Sequence, residues 1–222
     1  MPLLPADGEW IQLPVGNALL HNVGLRIVSG YLVSAGYRDV HGYADVRDEA
    51  AAIDLSYRDG VSAVTVTLKV DPYFGTDPMA ASDRSLPFYR TASDTYALEV
   101  VANSLTRQPG WLTRSNADLL FYYRIAIGQQ EDEISALMAE PDEVFFTELE
   151  VERDDLCSIP FPALREWFDT RQEAYISRPI ALEGRSAWHR IVPASDLEAS
   201  VQGVTSLGSA FAAVAASHRS AV

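Results

Sequence analysis

An α/β (α+β) fold, with a mixed central β-sheet flanked by helices, follows from three features of this sequence. Residues 17–36 carry Leu19, Leu20, Val23, Ile27, Tyr31 and Leu32 at helical spacing. Residues 51–57 and 62–70 alternate apolar and polar side chains with a period of two, and Arg58-Asp59-Gly60 between them has hairpin-turn chemistry. Residues 118–127, from Asp118 to Ile127, form an aromatic-rich run of strand length, apolar enough near its start to be buried on both faces.

The remaining elements follow in order. Residues 1–14 hold three prolines and little periodicity, which predicts an extended lead-in. Asn17 suits an N-cap and Gly36 a C-terminal stop for the first helix. Residues 37–47 predict a loop and a short strand. In the hairpin, Ile53, Leu55 and Tyr57 share one face and Asp54 and Ser56 the other. In its second arm Val64, Val66, Leu68 and Val70 oppose Thr65, Thr67 and Lys69. Residues 72–95, rich in Pro, Ser and Asp, predict a long surface loop. Residues 96–101 predict a strand with Tyr96, Leu98 and Val100 inward, and residues 103–117 a polar connection containing Pro109-Gly110-Trp111. Further on, 128–142 reads as an acidic loop, 143–149 as a strand, and 152–175 as helix-leaning, with Pro160 and Pro162 breaking its first part. Residues 187–192 predict a last strand and the Ala/Ser-rich 195–217 a helix weakened by Gly203 and Gly208. The chain reads as a single domain over 1–222, with a core over about 17–150 and a helical C-terminal extension over about 151–222.

Composition narrows the function classes. The 222 residues are 48% hydrophobic and 22% charged, as expected of a globular chain with material for a core. The net charge is −14, which disfavours DNA as a tightly held partner, because gripping a phosphate backbone draws on a basic face. A protein partner is open, and nothing fixes the oligomeric state. One cysteine, Cys157, excludes an intrachain disulfide and fits a reducing compartment. No apolar run is long enough to span a membrane. The start Met1-Pro2-Leu3-Leu4-Pro5-Ala6-Asp7 lacks a signal peptide's basic and apolar regions, so the expectation is a cytoplasmic protein without a membrane partner.

The chemistry concentrates in the middle third. Asp54, Lys69, Asp71 and Glu99 are charged side chains on predicted strands. Carboxylates on neighbouring strands can hold Mg²⁺, a hard cation that takes one or two carboxylates plus water and substrate oxygens. The ion activates a water and neutralises charge on a phosphoryl centre, and an adjacent lysine stabilises the transition state. The same residues also suit the wet face of an ordinary half-buried sheet, where cross-strand Lys–Glu and Lys–Asp pairs are common. Asp71, next to Pro72, suits a turn cap.

The order helix, strand, hairpin, strand, connection, strand, with Asp54 on one arm and Lys69 on the next, resembles the PD-(D/E)XK nuclease superfamily, particularly its phage and mobile-element members. The resemblance spans about residues 17–127. It draws on Lys69-Val70-Asp71, Ala97-Leu98-Glu99, Gly110-Trp111-Leu112 and Ala117-Asp118-Leu119-Leu120-Phe121-Tyr122-Tyr123. It implies a restriction-endonuclease-like core and DNA phosphodiester hydrolysis with Mg²⁺ or Mn²⁺. Asp54, Lys69 and Glu99 would be catalytic, and Asp54, Glu99 and Asp71 would be metal ligands. One position departs from the pattern: Thr67 stands where the acidic residue of the triplet is expected. A hydroxyl is a poor Mg²⁺ ligand, so activity would require Glu99 to fill that place. The rival expectation is a non-catalytic acidic interaction or inhibitor protein on a decayed nuclease fold.

Other residues point less clearly. His21, His41, His189 and His218 lack metal-ligand spacing, and Cys157 has no base beside it in sequence. Trp111 and Phe121 to Tyr123 suit base stacking or a core. Glu131-Asp132-Glu133, continued by Glu140, Asp142 and Glu143, suits a solvated loop or a nucleic-acid mimic.

Overall fold

The structure, a computed structural model, describes residues 17–43, 52–72, 94–182 and 185–219. The lead-in at 1–14 and most of the predicted 72–95 loop lie outside the described residues. Helix α1 (Asn17–Ser34) ends near Gly36, whose φ of 89° lets Tyr37 N return to Leu32 O at 3.0 Å. Strand β1 (Arg38–Gly42) pairs antiparallel with β2 (Leu55–Asp59), and β2 forms the predicted hairpin with β3 (Ser62–Asp71). Leu55 opposes Val66 and Tyr57 opposes Val64, so the alternation read from the sequence is the alternation of the sheet.

From β3 the chain passes through β4 (Thr95–Asn103), β5 (Gln108–Pro109) and the short α2 (Trp111–Arg114), then re-enters as β6 (Leu119–Ile127), parallel to β3. Strand β7 (Val151–Pro160) runs antiparallel to β6, and β10 (Thr205–Gly208) closes the order β1-β2-β3-β6-β7-β10. This is the predicted mixed central sheet. A second, four-stranded sheet has the order β5-β4-β9-β8, with β8 at Ile176–Leu182 and β9 at Arg185–Pro193.

Double burial of β6 explains the architecture. Phe121, Tyr123 and Ile125 enter one core with Leu55, Val66, Leu68, residues of α1, and Phe145 and Phe146. Leu120 and Tyr122, pointing the other way, enter a second core with Tyr96, Leu98, Val192 and Phe161. A strand with both faces apolar needs a cover on each side. One cover is α1 with its neighbouring helices; the other is the four-stranded sheet.

Four expectations are corrected. The acidic 128–142 segment contains α3 (Glu131–Leu137), where Gln130 and Glu133 form a reciprocal capping box and Glu131, Asp132 and Glu133 fill the first turn. Residues 143–149 are not a strand but belong to α4 (Asp142–Glu148). Val144-Phe145-Phe146-Thr147 is β-prone in isolation, but packing decides: adjacent Phe145 and Phe146 are both buried, and Arg26 of α1 binds Met138 O, Glu140 O and the Asp142 carboxylate. The supposed helix over 152–175 begins as strand β7. Pro160 and Pro162 set the start of α5 (Phe161–Asp169) rather than breaking it, since a helix's first turn needs no proline N–H. The expected helix over 195–217 is α6 (Ala194–Ser200), β10 and α7 (Ala210–Arg219), separated where Gly203 and Gly208 take φ of 84° and 73°. The segment from 151 onward therefore supplies four strands as well as helices.

Asp154 shows why polar Glu152-Arg153-Asp154-Asp155 forms a strand. Its Oδ2 accepts Tyr123 Oη–H at 3.0 Å and Phe211 N–H at 2.9 Å, and its Oδ1 accepts the Ser209 hydroxyl. One carboxylate thus fastens β7 to β6 and to the start of α7. Asp154→Ala is expected to lower stability by about 2–3 kcal/mol, because it leaves three partners of a charge-assisted acceptor unmet. Asp154→Asn should lower it less; urea unfolding monitored by circular dichroism checks both.

Candidate functional site

Asp54 lies just before β2, where the ladder gives way to side-chain bonding. Its backbone N–H still donates to Val66 O at 2.9 Å, while Leu68 N–H donates to Asp54 Oδ2 at 2.7 Å. The carboxylate replaces a backbone carbonyl at that step. Its other oxygen, Oδ1, is 3.3 Å from His21 Nε2 on α1, and both side chains are only partly exposed. Ala52, two residues earlier, has a φ of 48°, in the left-handed region.

Ala52 O accepts the Thr67 hydroxyl of β3 at 2.7 Å. Thr67 Oγ1 also lies 2.6 Å from Ser115 Oγ. Thr67 has one hydroxyl proton, given to Ala52 O, so Ser115 is the donor between the two hydroxyls. Ser115 Oγ accepts Ala117 N–H at 3.1 Å, and Arg165 holds Ser115 O at 2.9 Å. Thr67 and Ser115 are 2% and 0% exposed, so the bond between their hydroxyls is sealed from solvent, while Ala52 is partly buried.

Lys69 and Asp71 lie on the same face of β3 as Thr67, opposite Tyr122 and Arg124 of β6 in register. Asp71, 3% exposed, accepts the Tyr122 phenol hydrogen, and the phenol oxygen accepts Ala97 N–H of β4 at 2.8 Å. Burial first, then the Asp71 charge, pushes the Tyr122 phenol well above its ordinary range, keeping it a donor. The Arg124 guanidinium stands over Tyr96 at 4.3 Å and Tyr122 at 5.2 Å, and donates to Asp155 Oδ2 at 3.2 Å.

Glu99 of β4 accepts Trp111 N–H, at the start of α2, on Oε1 at 3.1 Å. Gly110 makes this approach possible: a Cβ there would fall 2.2 Å from Glu99 O. Glu99 Oε2 is 4.0 Å from Nε2 of His189, its cross-strand neighbour on β9. His189 is 2% exposed and its Nδ1 has no hydrogen-bond partner. Burial, and secondarily the positive charge of Lys69, holds its imidazole well below the usual range and keeps it neutral.

The predicted residues therefore fall into three settings. Asp54 is joined to His21 and the β3 backbone; Asp71 to Tyr122; Glu99 adjoins His189, which feels Lys69. Asp54 and Lys69 form no ion pair with each other. Among the described residues, no group of three or more His, Cys, Asp or Glu side chains is disposed to hold a metal. Cys157 is buried beneath the Tyr96 hydroxyl, and burial pushes its thiol up. Trp111 is buried against Phe161, and Phe121, Tyr122 and Tyr123 are core residues. Sequence reasoning missed His21, Ser115 and His189 because each meets its partner from a distant element. The one local signal was Ser115-Asn116-Ala117-Asp118, a polar break before the most apolar strand. No protein-family model, no curated protein and no solved structure matches the chain.

His189 gives stability a pH dependence. The unfolded chain takes up a proton below pH about 6.5, whereas folded His189 resists it, so stability is full above that pH and declines as pH falls below it. The slope contributed by this residue approaches about 1.4 kcal/mol per pH unit until its folded pKa is reached. His189→Gln is expected to remove that contribution; urea unfolding of both proteins across mildly acidic pH checks it.

Proposed function

We propose that this chain is a non-catalytic acidic interaction protein on a nuclease-like α+β fold, binding a protein partner with a basic surface. The observation that carries this is Thr67. The position expected to bear a metal-binding acid holds a hydroxyl buried at 2% exposure and committed to Ala52 O and Ser115 Oγ. The neighbouring carboxylates are committed in the same sense: Asp54 to Leu68 N–H, Asp71 to the Tyr122 phenol, and Glu99 to Trp111 N–H. Each of these bonds occupies one oxygen of its carboxylate, and Thr67 adds no carboxylate to the set. The net charge of −14 suits an interaction role, and the exposed acids of α3 and α4 supply a face for it.

A second reading, Mg²⁺- or Mn²⁺-dependent hydrolysis of DNA, draws support from two contacts. Asp54 meets β3 at the residue before Lys69, and Glu99 lies 4.0 Å from His189, whose imidazole feels the charge of Lys69. In that reading Asp54 and Glu99 would hold the ion and Lys69 would assist the attacking water. Asp71 would join them only by releasing Tyr122.

The two readings separate in one set of measurements. The interaction reading expects no shift in melting temperature with Mg²⁺ or Mn²⁺, and no plasmid cleavage beyond that of Lys69→Ala. It also expects a partner whose binding weakens at least about tenfold when Glu133, Glu140 and Glu148 are changed to Lys. Saturable Mn²⁺ binding lost in Asp54→Ala, together with cleavage lost in Lys69→Ala, would overturn it in favour of the hydrolase.

A further inference from the structure

The four-stranded sheet carries a concavity of about 380 Å³ whose chemistry opposes that of the chain as a whole. Its lining includes Arg107, Arg190, Trp188, Gln172, Ser104 and Ser177 and no carboxylate. In a chain with 31 acidic and 17 basic residues, this lining brings two arginines and no carboxylate of its own, Arg190 being paired with Glu173 beside it and Arg107 with no acid among the described residues. The volume lies within the range of small-ligand sites.

Each element contributes a definite part. Arg107 sits in the turn between β4 and β5 with a φ of 56°, a left-handed conformation that costs free energy in a residue with a side chain. Its side chain is exposed and forms no hydrogen bond or ion pair among the described residues. Arg190 is positioned rather than free: Tyr175 O accepts from it at 2.8 Å and the exposed Glu173 carboxylate at 2.9 Å. Trp188, two residues before Arg190 on β9, shares its face, and Ser177 lies opposite Arg190 on β8. His189 lies between them in sequence and alternates to the other face, so this concavity is separate from the Lys69–Glu99–His189 grouping.

We propose that this concavity binds a nucleoside monophosphate, free or as the phosphorylated end of a nucleic acid strand. The phosphate is taken by the Arg107 and Arg190 guanidinium groups, whose planar forks match its oxygens. The flat base packs against the Trp188 indole, and Gln172, Ser177 and Ser104 offer donors and acceptors to base or sugar. Neither a phosphate nor an apolar ring alone uses the whole lining; a ligand joining the two does. The proposal is independent of whether the Asp54–Lys69 region is catalytic, because it requires neither residue and involves no metal.

Calorimetric titration of the full chain with adenosine monophosphate, adenosine and inorganic phosphate tests it. The monophosphate is expected to bind with a Kd below about 1 mM, and adenosine and phosphate at least about tenfold more weakly. Arg107→Gln should weaken the monophosphate at least about tenfold with an unchanged melting temperature, since that side chain is exposed and supports no packing. Trp188→Phe, which keeps an aromatic ring, should weaken it less than Arg107→Gln does. A 5′-phosphorylated tetranucleotide binding more tightly than the mononucleotide identifies a strand end; equal or weaker binding identifies the free nucleotide. No heat of binding with about 5 mM monophosphate, or equal affinity in wild type and Arg107→Gln, overturns the proposal.

Discussion

The Tyr122 phenol joins the two sheets. It donates to Asp71 on β3 and accepts Ala97 N–H on β4, so one side chain in the middle of β6 links three strands from both layers. It is fully buried, and the rings of Tyr122 and Tyr96 meet edge to face at 4.8 Å. The Arg124 guanidinium covers both rings while its charge is balanced by Asp155 and, at 3.9 Å, Asp94. A buried polar group left without a partner costs free energy, and each partner it finds fixes a strand position. Here the requirement settles how the second sheet lies against the first, and it gives Asp71 the part of a structural acceptor for Tyr122.

What the sequence disclosed depended on how local the deciding interaction was. The β2–β3 hairpin was legible because its alternation and its Asp-Gly turn lie within about twenty residues of chain and agree with each other. Strand β6 was legible because its two buried faces make it an almost continuous apolar and aromatic run, broken only by Arg124. Strand β7 was not. Glu152 to Asp155 look like a helix's polar face or a loop, and become strand because Asp154 is satisfied by Tyr123, Ser209 and Phe211, residues about 31 to 57 positions away. Helix α4 was misread for the converse reason. Its Phe145-Phe146 pair has β propensity, and only Arg26, more than a hundred residues upstream, fixes the α3–α4 corner that overrides it.

The candidate site was legible as a set of residues and not as a set of partners. Asp54, Lys69 and Glu99 were recognisable by residue type and by strand position. Their surroundings come from α1, from the Ser115 bend and from β9, elements that the sequence gives no reason to place there. His189 illustrates the gap. In sequence it is one of four histidines without metal spacing. In the fold it is sealed between Glu99 and the field of Lys69, with neither neighbour close enough to bond it. A neutral imidazole there avoids setting a second cation beside Lys69, which explains why burial and charge push it in one direction.

The surroundings of Thr67 are built for a hydroxyl. A carboxylate at this position would have no proton for Ala52 O, which would become a partly buried acceptor facing a negative charge. Ser115 could still donate, but Ala52 O would lose its hydroxyl donor. The hydroxyl, able to donate and accept at once, completes a path from Ala52 O through Thr67 and Ser115 to Ala117 N–H. That path ties the entry of β2 to the bend before β6, across the middle of β3. Placing an acid here would therefore disturb the bonds to both Ala52 and Ser115. The threonine is an integral part of this fold, and the same bonds commit its hydroxyl in both directions.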